Sequence, residues 1–495
     1  MGYQVVWANL ATNPLLAVSR LFTDGHENLP REPELVGFSL SWELDYVNIL
    51  NLLQQLEVPA HGVDRSNQHP LIFGGGPVLT ANPEPFAAFF DVILIGDGEV
   101  LLGEFISAYA EVRTADRATK LRRLAQVPGV YIPSLYAVTY DGDHIASIQP
   151  IDSDIPAQIV KQTYRGEQLS TSTVVTPAAA WENIFMVEVV RSCPEMCRFC
   201  MASYLTLPFR TASLDDGLIP AIESGLTVTK RLGLLGASVT QHPEFDRLIT
   251  HLGQPQFADV RLSIASVRTN TVTVELAQLL TQRDTRSLTI AVESGSERVR
   301  EIVNKKLSTA EITQAAINAK AGGLKSLKLY GMAGIPGENA EDIEATVAMM
   351  LGLKKSAPGL RLTFGCSTFV PKAHTPFQWL GVRKTAEKRL QLLQKRLKPN
   401  GIEFRPESYN WSIIQALIAR GDRRLTKVLE LTREYGDSLG SYKRAFKELS
   451  GQVPPLDFYV HQDWLIDRLL PWSHIQGPLP IETLIKHLES SAAMR

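Results

Sequence analysis

Cysteine is nearly absent: the 495-residue chain has four, and residues 1–192 have none. So few thiols cannot staple a chain of this length, which excludes a disulfide-built secreted scaffold. Three of the four fall between positions 193 and 200, a clustering that points to thiols kept reduced for a metal or redox role. An excess of either charge is missing as well. Fifty Lys and Arg against 52 Asp and Glu leave a net −2, so no overall basic field draws the chain to nucleic acid or to an anionic membrane. No window approaches the ~20 apolar residues that span a bilayer. The most apolar stretch, FAAFFDVILIG, is short and broken by Asp91. The opening MGYQVVWANLATN lacks a basic segment followed by a long apolar run, so no secretory signal is expected and the cytoplasm is the expected location. Low-complexity tracts and solenoid-type repeats are absent too. What is left is an ordinary globular composition, 44% hydrophobic and 21% charged, in a chain long enough for roughly two to four domains.

The organisation is α/β. ELVGFSLSW, PLIFGGGP and DVILIGDGE read as buried strands separated by helical stretches, with Tyr46, Ile49, Leu50, Leu53 and Leu56 on one helical stripe. This pattern predicts a doubly wound, Rossmann-like parallel sheet over residues 1–128. LYAVTYDGDHIASIQP alternates around Asp141-Gly142, a hairpin signature, and makes residues 129–180 a small β appendage or linker. Residues 181–380 hold six strand candidates: IFMVEVV, RLGLLGAS, VRLSIASV, SLTIAVESGS, SLKLYGMAGIPG and RLTFGCSTFV. Repeated βα units predict a partial (β/α)6, TIM-like barrel, with its site at the carboxyl ends of the strands. Residues 381–495 read as a mainly helical C-terminal region.

The chemistry concentrates in SCPEMCRFC, where Cys193, Cys197 and Cys200 are spaced C-x3-C-x2-C. Beside Pro194, Glu195 and Arg198 these do not form a core stripe. Tetrahedral zinc needs a fourth ligand, here only the distant Cys366 or a histidine such as His242, and a ferredoxin cluster would bring a nearby fourth cysteine. A [4Fe–4S] cubane held by three thiolates leaves one iron open to chelate a cofactor, much as a catalytic zinc keeps an open position. Arg191 and Arg198 either place positive charge near such a cluster or form salt bridges.

With Phe199 before its last cysteine, the motif is similar to the signature of the radical S-adenosylmethionine (radical SAM) superfamily. Further segments fit that family in order. AVESGSERVREIVNKKL resembles its fourth-strand motif, which implies that Glu293, Ser294 and Ser296 contact SAM. KLYGMAGIPGENAED resembles the fifth-strand motif, implying that Gly334, Ile335 and Gly337 form the turn against adenine. SIASVR occupies the third-strand position and puts Ser266 and Arg268 toward the cofactor; STFVPKAHTPF resembles the sixth-strand segment. Gly236 to Ser238, after the second strand, lie at the same mouth. The resemblance implies a [4Fe–4S] cluster, SAM, an unknown substrate and a one-electron donor of flavodoxin or ferredoxin type. It implies reductive cleavage of SAM to a 5′-deoxyadenosyl radical.

The front region resembles the cobalamin-binding-like module that precedes many radical SAM domains, through IFGGGPVLTANPEPFAAFFDVILIGDGE. The D-x-H-x-x-G signature that supplies histidine to cobalt is not present, and the sequence enters the module near its first helix, as if lacking the opening strand. Cobalamin is therefore a possible but weakly supported cofactor. The rival within enzymes is a cobalamin-dependent radical SAM methyltransferase. A methylthiotransferase would need three more cysteines in the front region, where there are none. The rival from another class is a non-catalytic iron–sulfur or zinc protein that binds a partner through its helical C-terminus.

Overall fold

The computed structural model describes residues 2–23, 25–265, 267–436 and 438–492. In the front region the apolar runs between glycines become β1 (Leu35–Ser39), β2 (Leu71–Gly75) and β3 (Val92–Leu94), parallel and in sequential order. β4 (Val130–Tyr131) adds antiparallel to β3. Helices α1 (Tyr46–Gln55) and α2 (Gly98–Glu111) bury their apolar stripes in the same core. Two glycines are required sterically. A Cβ on Gly74 would lie 2.4 Å from the Phe90 ring, and one on Gly76, at φ +103°, 2.6 Å from the Leu40 carbonyl oxygen. The hairpin expected at Asp141-Gly142 forms as β5 (Tyr136–Asp141) and β6 (His144–Pro150), with Gly142 in the left-handed region at φ +57°.

All six strands expected in residues 181–380 form. β7 (Phe185–Glu188), β8 (Arg231–Leu235) and β9 (Arg261–Ile264) make one parallel sheet. β10 (Ser287–Glu293), β11 (Ser326–Ala333) and β12 (Arg361–Thr368) lead a second. A parallel bridge between Val267 and Ile290 joins the two sheets. The second sheet gains a further parallel strand, β13 (Glu403–Pro406), inside the region expected to be helical. Helices α3 (Thr309–Ala321), α4 (Ala340–Ser356) and α5 (Ala386–Leu397) cover one face of this sheet. α3 opens with the capping box Ser308–Glu311 read from sequence. Leu288, Ile290, Leu327, Leu329, Leu362 and Phe364 are buried on that helix-covered face. Period-two alternation puts Thr289, Lys328, Tyr330, Thr363 and Arg405 on the other face, which looks into the barrel.

The C-terminal helices do not stand apart. α6 (Tyr409–Arg420), α7 (Leu425–Tyr435) and α8 (Leu439–Glu448) share a hydrophobic core with the front sheet. Asn82 donates to the carbonyl oxygens of Ala419 (3.2 Å) and Gly421 (2.8 Å), and the Tyr46 and Tyr442 hydroxyls meet at 2.9 Å. The last helix, α9 (Ile481–Ala492), crosses to the cysteine loop. Among the described residues no helix is long and apolar enough to cross a membrane.

Candidate functional site

The cysteine loop leaves the mouth of the barrel just after β7, by way of a two-residue pairing of Val190–Arg191 with Arg210–Thr211. Two residues of the loop, Ser192 (φ +72°) and Met196 (φ +56°), are non-glycine residues in the left-handed region. Such backbone is held only where the surroundings over-determine it, and the surroundings here are specific. The Cys193 amide donates to the Ala202 carbonyl (3.0 Å) and the Arg198 amide to that of Val303 (2.9 Å). The Arg198 guanidinium donates to the Glu301 and Ile302 carbonyls at 2.7 and 2.8 Å, where the helix Glu297–Ile302 ends. Its other end meets Ser490 on α9 at 3.1 Å. The Tyr204 hydroxyl donates to the Met196 carbonyl (3.2 Å) and pairs with His487 of α9 (2.8 Å).

Three strand ends brace the same loop. Glu195 accepts from Gln241, beyond β8, at 2.5 Å and pairs with Arg268, beyond β9, at 2.8 Å. Asn304, beyond β10, donates to the Met196 carbonyl at 2.8 Å, and its neighbour Lys305 pairs with Glu293 at 3.0 Å. Glu293 itself sits at φ +63°, which turns the buried carboxylate at the end of β10 toward this mouth. Of these bracing groups Glu195, Gln241, Asn304 and Lys305 carry no sequence signal: each acts through a partner remote in the chain.

The three thiols are free, and the Cys197 sulfur lies within electrostatic reach of Cys193, Cys200, Glu293 and Lys305. Burial pushes the Cys197 thiol up to about 12, and burial raises Cys200 as well. Thiolates at these positions therefore need a positive partner, as a metal would be. Among the described residues no three Cys, His, Asp or Glu side chains converge tightly enough for a single metal ion. Three thiols without a fourth ligand beside them match a cubane, which distributes its thiolates over separate irons, better than a tetrahedral zinc with four ligands. Cys366 is 1% exposed, on the helix-covered face of β12, and its electrostatic neighbours are Glu338, Glu407 and Glu293 rather than the loop thiols.

The fourth- and fifth-strand motifs interlock. Ser296 caps the following helix and donates to Asp342 at 2.6 Å; the Ser294 hydroxyl lies 3.4 Å from that of Thr346. Arg298 ties Asp342 to the Gly337 carbonyl, the latter at 2.8 Å. Both serine hydroxyls are thus committed within the protein. The turn holds Gly334 at φ +79° and Gly337 at φ +87°, with Ile335 fully buried between them. Glu338, whose carboxyl burial pushes up to about 7, accepts from the Gly334 amide at 2.7 Å. Ser266 lies outside the described residues. Arg191 serves as an ion-pair partner, to Glu188 and Glu99 at 2.7 Å each.

The front-region motifs are spent on joining the chain to itself. Asp97 pairs with Arg210 at 2.6 Å and accepts from the Tyr164 amide at 3.0 Å. Beyond β3, a Cβ on Gly96 (φ +131°) would stand 2.1 Å from the Gln162 carbonyl oxygen. Beyond β1, Lys372 pairs with Glu43; the His374 ring is buried near Ala81, beyond β2. Segment 159–164 therefore packs on the end of β3, and segment 369–377 on the connections that follow β1 and β2, at the edge where a doubly wound sheet takes its ligand. These intrachain contacts compete with a corrin for that edge. The expected outcome is that anaerobic incubation with hydroxocobalamin, followed by desalting, leaves no corrin absorbance with the protein.

Residues 187–350 match the radical SAM superfamily, and residues 6–133 match the family of radical SAM proteins, N-terminal; together these span more than half of the chain. An uncharacterized protein of Methanocaldococcus jannaschii is 28% identical over 432 residues, 87% of each chain. An uncharacterized methyltransferase of Pyrococcus horikoshii is 23% identical over 297 residues, covering 57% of this chain and 58% of that one. Among solved structures, the radical SAM methyltransferase TsrM of Kitasatospora setae, with cobalamin and a [4Fe–4S] cluster bound, superposes at TM-score 0.51 and 13% identity over 94% of this chain and 89% of that one. That likeness is one of fold.

Proposed function

The chain belongs to the radical SAM superfamily, and from that premise we propose that it is an enzyme that holds a [4Fe–4S] cluster on Cys193, Cys197 and Cys200 and cleaves SAM reductively to act on a substrate inside the barrel. One observation carries the reading: three mutually close thiols on a braced loop at the barrel mouth, with the fourth cysteine turned away behind the sheet. When bound, the cluster supplies the electron that splits SAM into methionine and a 5′-deoxyadenosyl radical, which takes hydrogen from the substrate.

The chain's own residues position and shield. Glu195, Asn304 and Arg198 fix the loop against the ends of β8 to β10. Lys305 holds the Glu293 carboxylate at the mouth, where it can orient SAM. The turn from Gly334 to Gly337, rigid through Arg298 and Glu338, offers backbone to the adenine. In this assignment residues 181–380 bind the cofactors, and residues 1–128 seat them rather than hold a second one. A one-electron donor of flavodoxin or ferredoxin type and the reducing surroundings of the cytoplasm complete it.

A cobalamin-dependent methyltransferase is the second reading, favoured by the Pyrococcus relative's name and opposed by the occupied strand ends. The deciding experiment is anaerobic reconstitution followed by electron paramagnetic resonance with and without SAM. A reduced-cluster signal that changes on adding SAM, with deoxyadenosine released after dithionite reduction, is the expected result. A colourless preparation indifferent to SAM would sink the proposal in favour of a non-catalytic metal protein.

A further inference from the structure

Parallel sheets normally have both faces covered, yet the sheet β10 to β13 leaves its inner face open. At its centre Tyr330 is 54% exposed, although Leu329 and Gly331, its neighbours on β11, are buried. A large aromatic ring exposed in the interior of a central strand needs an explanation of a kind that scattered surface residues do not. Its seat is shaped. Gly365 faces Tyr330 across the ladder, and a Cβ there would come within 2.7 Å of the ring, so only glycine lets the ring lie down on β12. Charges flank this platform on the same face. Arg405 pairs across from Gly365, and Lys328 and Arg361 lie two residues from Tyr330 and four from Gly365. Among the described residues of these strands, alternation places one anion on this face below the cysteine mouth, Glu403, which Arg405 (Nη2–Oε1 2.6 Å) and Thr363 (3.0 Å) already engage. Three cations against one anion give the face a positive sign.

We propose that this inner face is the substrate subsite and that it takes a small planar aromatic or heteroaromatic anion, its ring stacked on Tyr330 and its carboxylate or phosphate held by Arg405 and Lys328. The inference rests on the radical SAM reading and narrows its unknown substrate to a chemical class. An exposed ring offers stacking to any π-face, and the neighbouring guanidinium offers a fork to an oxyanion.

The test is a fluorescence titration of the anaerobically reconstituted full-length protein with indole-3-carboxylate, and with cyclohexanecarboxylate as the non-planar anion. Saturable binding of the indole acid is expected, at least ~10-fold tighter than the cyclohexyl acid, a factor within the range of aromatic stacking. Tyr330→Ala should weaken it ~10-fold or more, Tyr330→Phe should leave it within ~3-fold, and Arg405→Gln should weaken it ~5-fold or more. Equal affinity in wild type and Tyr330→Ala, or no saturable binding to wild type, overturns the subsite. Iron content and deoxyadenosine formation in the same samples separate the two levels. Wild type and Tyr330→Ala making deoxyadenosine alike while the probe ignores Tyr330 sinks only the subsite. Absence of deoxyadenosine from wild type sinks the parent reading.

Discussion

Replacing Cys197 with alanine should remove most of the reconstituted iron and lower deoxyadenosine formation by at least ~100-fold, beyond the loss typical of a residue that merely supports a metal ligand. The reasoning starts from burial. Cys197 is 7% exposed, and its thiol donates only weakly to the Asn304 carbonyl, at 3.8 Å, so the fold itself asks little of it. Truncating a small, free, buried thiol to alanine removes about one atom's worth of packing, on the order of 1 kcal/mol. The protein should therefore fold and lose its metal, a separation that circular dichroism and iron analysis read independently. Cys366 is the control. It is more deeply buried still, but it belongs to the apolar core behind the sheet, so Cys366→Ala should keep full iron and full SAM cleavage. A Cys366→Ala protein that lost its iron would mean a fourth thiolate closes the cluster, leaving no open iron for SAM.

The contrast between these two cysteines marks where sequence reading succeeds. Spacing brings Cys193, Cys197 and Cys200 onto one loop because they are local, and strands such as RLGLL and SLTIAVE declare themselves because a parallel strand needs a nearly unbroken apolar run. Glu195 and Lys305 were not legible. Their work is to meet Arg268 and Glu293 across the barrel mouth, and a solvated Glu or Lys has the same local sequence signal as a bracing one. β13 has no strand signal, since EFRP carries one large apolar side chain; the ladder it joins, not its composition, makes it a strand. The front motifs have two readings. Glycines, an Asn-Pro-Glu and an Asp-Gly-Glu read as a ligand loop, because a backbone that approaches a cofactor and a backbone that approaches another segment of its own chain both require glycine. Gly96 against Gln162 and Gly76 against Leu40 are of the second kind.

Glu84, from that same front motif, carries the other large expected effect: Glu84→Ala should destabilise the protein by about 3–5 kcal/mol, the range for removing one partner of a buried pair. Its carboxylate is 1% exposed and accepts from Tyr131 at 2.5 Å and from Arg423 at 2.8 Å, with the His474 ring nitrogen at 3.6 Å. It thus binds β4, α7's N-terminal approach and the C-terminal segment at one point. Burial alone would raise Glu84, but Arg423 and His474, with the hydrogen bonds from Arg423 and Tyr131, outweigh it and hold the carboxyl below its usual value. A depressed carboxyl contributes stability above the ordinary carboxylate range and loses it as pH falls through that range. His474 adds to the acid sensitivity from higher pH, since burial pulls its pKa down to about 4, and burial does the same to His374. The unfolded chain takes up these protons near pH ~6.5 while the folded one refuses them until about 4, so stability drops on acidification between those values. At 1.36 kcal/mol per pH unit, each histidine should take away roughly 2 kcal/mol by pH ~5. Urea unfolding of wild type and Glu84→Ala at pH 7.5, and of wild type again at pH 5, would read both effects: Glu84→Ala should lose the ~3–5 kcal/mol already at pH 7.5, wild type should lose stability steeply between the two pH values, and His474→Asn and His374→Asn should each flatten that slope. A wild-type midpoint that does not move between the two conditions would mean the histidines are already solvated, and that the junction of front sheet and C-terminal helices is open to water.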